Sequence, residues 1–173
     1  MPDLQNDSPA GDPTSTVRWV GAGGDWYDEK RGLGVSTIEF KVAGRENSGL
    51  LILENTFHAQ GGPPRHLHLA QDEWFYAVEG EFDVEVGRER RRLSPGDSMF
   101  APRNVPHVWA HVGNGRGRIL VAFTPAGQME EFFRIVTAKN AMPGMDPALW
   151  RAHGMELLGP PLELPPPADH PDR

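Results

Sequence analysis

Four residues of this sequence have the types and spacing of a metal site. Histidines stand at 66 and 68 and a glutamate at 73, within "RHLHLAQDEWFYAVEGE" (65–81), and a further histidine stands at 107, within "GDSMFAPRNVPHVWAH" (96–111). In extended chain, residues i and i+2 share a face. His66 and His68 therefore aim their imidazoles together while Leu67 points away. Glu73 opens the next strand after a turn at 70–72, so its carboxylate can come back towards them. In the second stretch Gly96, Pro102 and His107 follow a glycine–strand–proline–turn–histidine order, which places His107 to supply a fourth ligand. Neutral imidazoles with one carboxylate suit divalent iron, manganese, nickel, copper, cobalt or zinc, and spacing does not choose among them.

A His-x-His pair alone is a weak signal. With 7 histidines in 173 residues, about 0.3 such pairs are expected by chance. Requiring an acid at one fixed position and a glycine seven residues beyond it (here Gly80) lowers the expectation to the order of 0.005. The set carries the reading, not any one histidine.

Strands must position these residues. "GVSTIEFKV" (34–42) and "GLLILENTF" (49–57) bracket a loop, and "EWFYAVEG" leads into "EFDVEV", where Phe82, Val84 and Val86 alternate with acids in the period of a half-buried strand. "SPGD" (94–97) is a turn signal, followed by the short strand "SMFAP". "HVWAHV" and "RILVAF" are expected to form a hairpin through the glycine-rich "GNGRG". Residues 128–139, "QMEEFFRIVTAK", read as a helix with Met129, Phe132, Phe133 and Val136 on one stripe. Residues 140–155 are expected to be a loop packed on the barrel or covering its mouth. Many short strands with regular turns indicate an all-β sandwich or barrel. The arm 1–16 and the proline-rich tail 165–173 are expected to be extended or mobile, leaving one domain over 17–164.

Composition narrows the function classes. The formal net charge is −7, and the arginine-rich run "RERRRL" (88–93) is flanked by acids. It reads as a solvated hairpin, and nucleic-acid binding is not expected. Cysteine is absent, which removes disulfides, thiolate ligands and cysteine nucleophiles. No apolar run approaches the roughly 18 residues of a membrane span, and no signal-peptide pattern is present. A cytoplasmic protein is expected.

The stretch from Gly61 to Gly80 resembles the first motif of the cupin superfamily, and Gly96 to His111 resembles the second. The resemblance covers about residues 34–124 and implies a double-stranded β-helix, or jelly-roll, barrel with a short C-terminal helix, holding one divalent metal on His66, His68, Glu73 and His107. It departs from the pattern at Asn104, where glycine is usual, at His111, where asparagine is common, and at Gln60, beside which Gly61 is offset by one.

Phe75 and Ala77 should share Glu73's face, and Trp109 and His111 that of His107. Phe75, Trp109 and His111 are thus candidate substrate-binding residues, and Glu73 a candidate proton acceptor. The chain is further similar to small single-domain cupins of the quercetinase-like, conserved-barrel kind. That resemblance implies a metal-dependent dioxygenase acting on a small enol or aromatic substrate with dioxygen, and homodimers through the N-terminal strands or helix 128–139. The alternatives are a redox-neutral isomerase or lyase and a non-catalytic small-molecule-binding barrel.

Overall fold

The computed structural model describes residues 17–44, 49–141 and 144–164; the expected arm 1–16 and tail 165–173 lie outside them. Among these residues eleven strands and two helices follow in the order β1 (Arg31–Leu33), β2 (Ser36–Val42), β3 (Leu51–Phe57), β4 (Arg65–His68), β5 (Asp72–Glu79), β6 (Phe82–Val86), β7 (Glu89–Leu93), β8 (Ser98–Ala101), β9 (His107–His111), β10 (Gly117–Thr124), α1 (Met129–Ala138), α2 (Pro147–Ala152) and β11 (Met155–Gly159). They form a six-stranded sheet, β1-β2-β3-β10-β5-β8, and a five-stranded sheet, β11-β4-β9-β6-β7. Every strand pair is antiparallel. This is the expected all-β jelly roll.

The period-two patterns set which residues face the space between the sheets. In β2, Ser36, Ile38 and Phe40 are buried while Thr37, Glu39 and Lys41 are partly exposed. The inner residues Phe75, Ala77, Phe82, Val84, Ile119, Val121 and Phe123 join them in one core, where burial of each large side chain stabilises by roughly 1.5–3 kcal/mol.

The expected hairpin between "HVWAHV" and "RILVAF" does not form. β9 pairs with β4 and β6, whereas β10 pairs with β3 and β5, so the glycine-rich link carries the chain from one sheet to the other. Both strands have apolar inner faces, and facing sheets bury both where a two-stranded hairpin would bury neither. The arginine-rich run does form a hairpin strand: Arg90 and Arg92 of β7 hold Asp83 of β6 (3.0 and 2.7 Å).

Helix α1 buries Met129, Phe132 and Val136 in the core of its own barrel, as their helical spacing predicts. The segment expected to be a loop, 140–155, contains α2 and the start of β11. Asp146 caps α2, accepting from Ala148 N (3.0 Å) and Leu149 N (3.4 Å), and Pro147 occupies its first turn, a strong local start signal. Trp150 is 1% exposed and donates its Nε1–H to Gly144 O at 2.9 Å. β11 has little alternation of its own and is defined by pairing with β4, Met155 opposite His68 and Leu157 opposite His66. Among the described residues no helix is long and apolar enough to cross a membrane.

Candidate metal centre

The four candidate ligands come from both sheets. His66 and His68 lie on β4, held between β11 and β9, with His66 directly opposite His107 of β9. Glu73 lies on β5 of the other sheet, paired with Phe123 and Ala101. All four are buried, and each offers a ligand atom within 4.8 Å of the others.

The turn before His107 is built for this approach. Asn104 adopts φ 64°, the left-handed conformation in which asparagine substitutes for glycine. Its N–H donates to His68 O at 2.7 Å, tying the turn to the strand that carries two ligands. Beside it Arg103 grips Asp72 twice, Nε to Oδ1 at 3.0 Å and Nη2 to Oδ2 at 2.7 Å, and its main-chain N–H adds a third bond at 2.9 Å. Arg103's side chain and main-chain N–H hold the Asp72 carboxyl at about 2. Asp72 adjoins Glu73, so the clamp joins the strand carrying the carboxylate to the turn leading into His107. Gly80, which closes the first motif, has φ 77°.

Hydrogen bonding decides which nitrogens are offered. A carbonyl can only accept, so His66 Nδ1–H donates to Pro64 O (2.7 Å) and His107 Nδ1–H to Val105 O (3.0 Å). Both rings then present Nε2 as a lone pair. Nε2 of His107 lies 2.8 Å from Glu73 Oε2 yet has no aligned hydrogen bond. Two lone-pair atoms at that distance attract only when a positive charge lies at the contact, a proton on His107 or a metal ion. His68 bonds Glu73 Oε2 through Nε2 at 3.1 Å and leaves Nδ1 buried without a partner. The donor set and these unsatisfied atoms fit a divalent transition metal.

In the metal-free site the electrostatics favour a proton at the His107–Glu73 contact, the place a metal ion would take. Burial, reinforced by neighbouring His107 and His68, pushes His66 down to about 3 and keeps it neutral. Burial opposes ionisation of Glu73, but His107 and His68 outweigh it and hold the carboxyl well below its ordinary range. Burial likewise opposes protonation of His107, and Glu73 outweighs it, raising the imidazole.

A cavity of about 40 Å³ opens beside His66, His68 and Glu73, walled by Phe57, Trp109, Phe123, Phe132, Met155 and Trp150 among others. That is room for a few waters. Trp150 lies 4.8 Å from the His66 ring and 5.2 Å from Phe132, centroid to centroid, so α2 covers one side of the site. Of the candidate substrate residues Trp109 lines this cavity; Phe75 stands behind it, 5.8 Å from Trp109 and 6.2 Å from His107. His111, at the far end of β9, is fully buried between Phe57 and Phe82 with Nδ1 3.3 Å from Ala59 O, away from the cavity. Trp150 and Met155 are not among the candidate substrate residues; Trp150 belongs to the 140–155 segment expected to pack on the barrel or cover its mouth, and it does lie against the site.

Residues 54–123 match the family described as Cupin domain. KdgF from Halomonas sp. superposes with a TM-score of 0.54 at 23% identity, over 62% of this chain and 93% of that one. A Streptomyces Pac13 variant with uridine gives 0.55 at 9% identity, over 86% and 95%. An RmlC-like cupin from Shewanella frigidimarina is 28% identical with a TM-score of 0.46, over 55% and 81%. The first two carry the fold. No curated protein matches the chain.

Proposed function

This chain carries a small cupin domain, and on that premise we propose that it is a metal-dependent oxidoreductase of dioxygenase type, acting on a small enol or aromatic substrate. The observation that carries the reading is the buried His66–His68–Glu73–His107 cluster at the side of a largely apolar, aromatic cavity. Held by His66, His68, Glu73 and His107, a divalent transition metal would supply Lewis acidity towards a substrate oxygen and, if redox-active, dioxygen chemistry.

The chain's own groups have separable tasks. Pro64 O and Val105 O keep His66 and His107 in the tautomer that offers Nε2. Glu73, a carboxylate here, is the acceptor proposed for a substrate hydroxyl proton once substrate replaces its contacts with His107 and His68. Trp109, Phe57 and Phe123 bind the planar apolar body and exclude water. The cavity of about 40 Å³ is too small for such a body unless Trp150 and α2 move outward.

The cavity's titratable side chains among the described residues are His66, His68 and Glu73, all within the ligand set. Because α1 buries its apolar stripe in its own barrel, a homodimer would use another surface.

Elemental analysis paired with oxygen uptake on flavonols and related enols tests the proposal. About one redox metal per chain with oxygen uptake is expected. Metal without uptake would shift the assignment to redox-neutral chemistry, and no metal after reconstitution would indicate a binding barrel.

A further inference from the structure

Strand β3 interrupts its own pattern inside the cavity. Leu51, Leu53, Asn55 and Phe57 alternate onto the inner face and are 0, 2, 5 and 0% exposed. Three are apolar, and the fourth is an asparagine whose Oδ1 is buried without a hydrogen-bond partner. Its register neighbours, Ile38 on β2 and Ile119 on β10, offer no side-chain polar atom. No protein group satisfies this amide oxygen, which leaves it to water in the cavity or to a ligand.

Asn55 lines the same cavity as His66, His68 and Glu73, at the opposite corner of the sheet. Glu73 pairs with Phe123, and Phe123 with Leu51, so Asn55 stands four residues along β3 from the row that contains Glu73. That is about 13 Å along the strand and about 10 Å across two strand spacings, before the side chains reach inward. A substrate anchored by an oxygen near Glu73 would extend its far end towards this amide.

We propose that Asn55 is a second polar anchor of the cavity, binding a hydroxyl on the end of the substrate remote from the metal ligands. A hydroxyl both donates and accepts, so it satisfies either orientation of the amide. The substrate class narrows accordingly to a planar enol or aromatic molecule with a chelating oxygen at one end and a hydroxyl at the other. This inference rests on the proposed metal site for the first anchor.

The test uses zinc-loaded protein and two flavonols, kaempferol and galangin, which share the chelating end and differ by one hydroxyl at the far ring. Wild-type protein should bind kaempferol about fivefold to tenfold more tightly than galangin. Asn55→Leu should erase that difference, retain its zinc and raise the urea midpoint of the metal-free protein. Equal affinity of the wild type for the pair, no binding of either, or a preference that survives in Asn55→Leu would overturn the assignment. A fall in the urea midpoint would also overturn it, because it would make Asn55 a structural group. Failure of the metal reading is separately visible as absent zinc in the wild type, and the urea midpoint then still decides the role of Asn55.

Discussion

His66 and His107 stand opposite each other in the β4–β9 register, ring centroids 4.5 Å apart, and each gives its Nδ1–H to the carbonyl two residues before it, Pro64 and Val105. Proline takes part in both arrangements. Pro64 supplies one carbonyl, and Pro106 follows Val105, biasing it towards extended backbone. The Nδ1 side of each ring is therefore fixed by main chain before any metal binds.

If these nitrogens are ligands, the double variant His66→Ala with His68→Ala loses stoichiometric metal while keeping its far-ultraviolet spectrum. Elemental analysis of the purified variant decides it; full retention of metal would sink the four-ligand site.

Zinc should stabilise the wild type by about 2.7 kcal/mol at a free concentration one hundred times Kd, and chelation should reverse this. Burial lowers the proton affinity of His107 and Glu73 more than restores it, so the imidazole titrates above its ordinary value. Metal and proton compete for the same Nε2. The zinc-induced rise in Tm should shrink as pH falls below that raised value; a pH-independent rise would contradict the ligand role of His107.

The Asp72–Arg103 clamp is exposed and predicts a split between stability and affinity. Asp72→Asn should leave the unfolding midpoint nearly unchanged and weaken zinc binding about tenfold, the effect expected when a support of the ligand set is loosened. Calorimetric titration reads it, and unaltered affinity would reduce the clamp to a surface pair.

Trp150→Ala removes a buried indole that covers the site, at a cost of about 3–5 kcal/mol. Trp150→Phe should cost less and leave a wider entrance. With α2 as the cover, Trp150→Phe binds bulky flavonols faster in stopped-flow mixing; an unchanged association rate would assign entry to another side.

Acid stability should depend on Asp25. Burial opposes its ionisation, but N–H groups of Phe40, Tyr27 and Glu29 with the Arg31 guanidinium (2.7 Å) outweigh burial and hold the carboxyl below its ordinary value of 3.8. The folded state thus binds this proton less readily than the unfolded chain. Its contribution is present above pH 4 or so and is lost as pH falls through the depressed value. Asp25→Asn should cost about 3 kcal/mol at neutral pH and flatten the acid limb of the stability curve.

Much of the site was legible in the linear sequence because strand geometry is local. The i, i+2 spacing of His66 and His68 dictates a shared face, the glycine and proline punctuation marks the turns, and Asn104 tolerates the conformation its turn requires. The alternation in β2, β6 and β10 likewise follows from a period that each strand carries by itself, and the stripe of α1 from helical spacing.

Tertiary structure decided what depends on partners distant in the chain. β9 and β10 read as a hairpin, yet burying both apolar inner faces required them to enter different sheets. β11 is a strand because β4 offers it an edge, and Trp150 acquires a role because α2 sets it against His66. Asn55 has no motif; only the cavity reveals that its amide lacks a partner. Sequence determined the donors and their local orientation, since backbone geometry reaches a few residues. The fold decided their convergence, since the contact between Glu73 and His107 is set by the packing of two sheets.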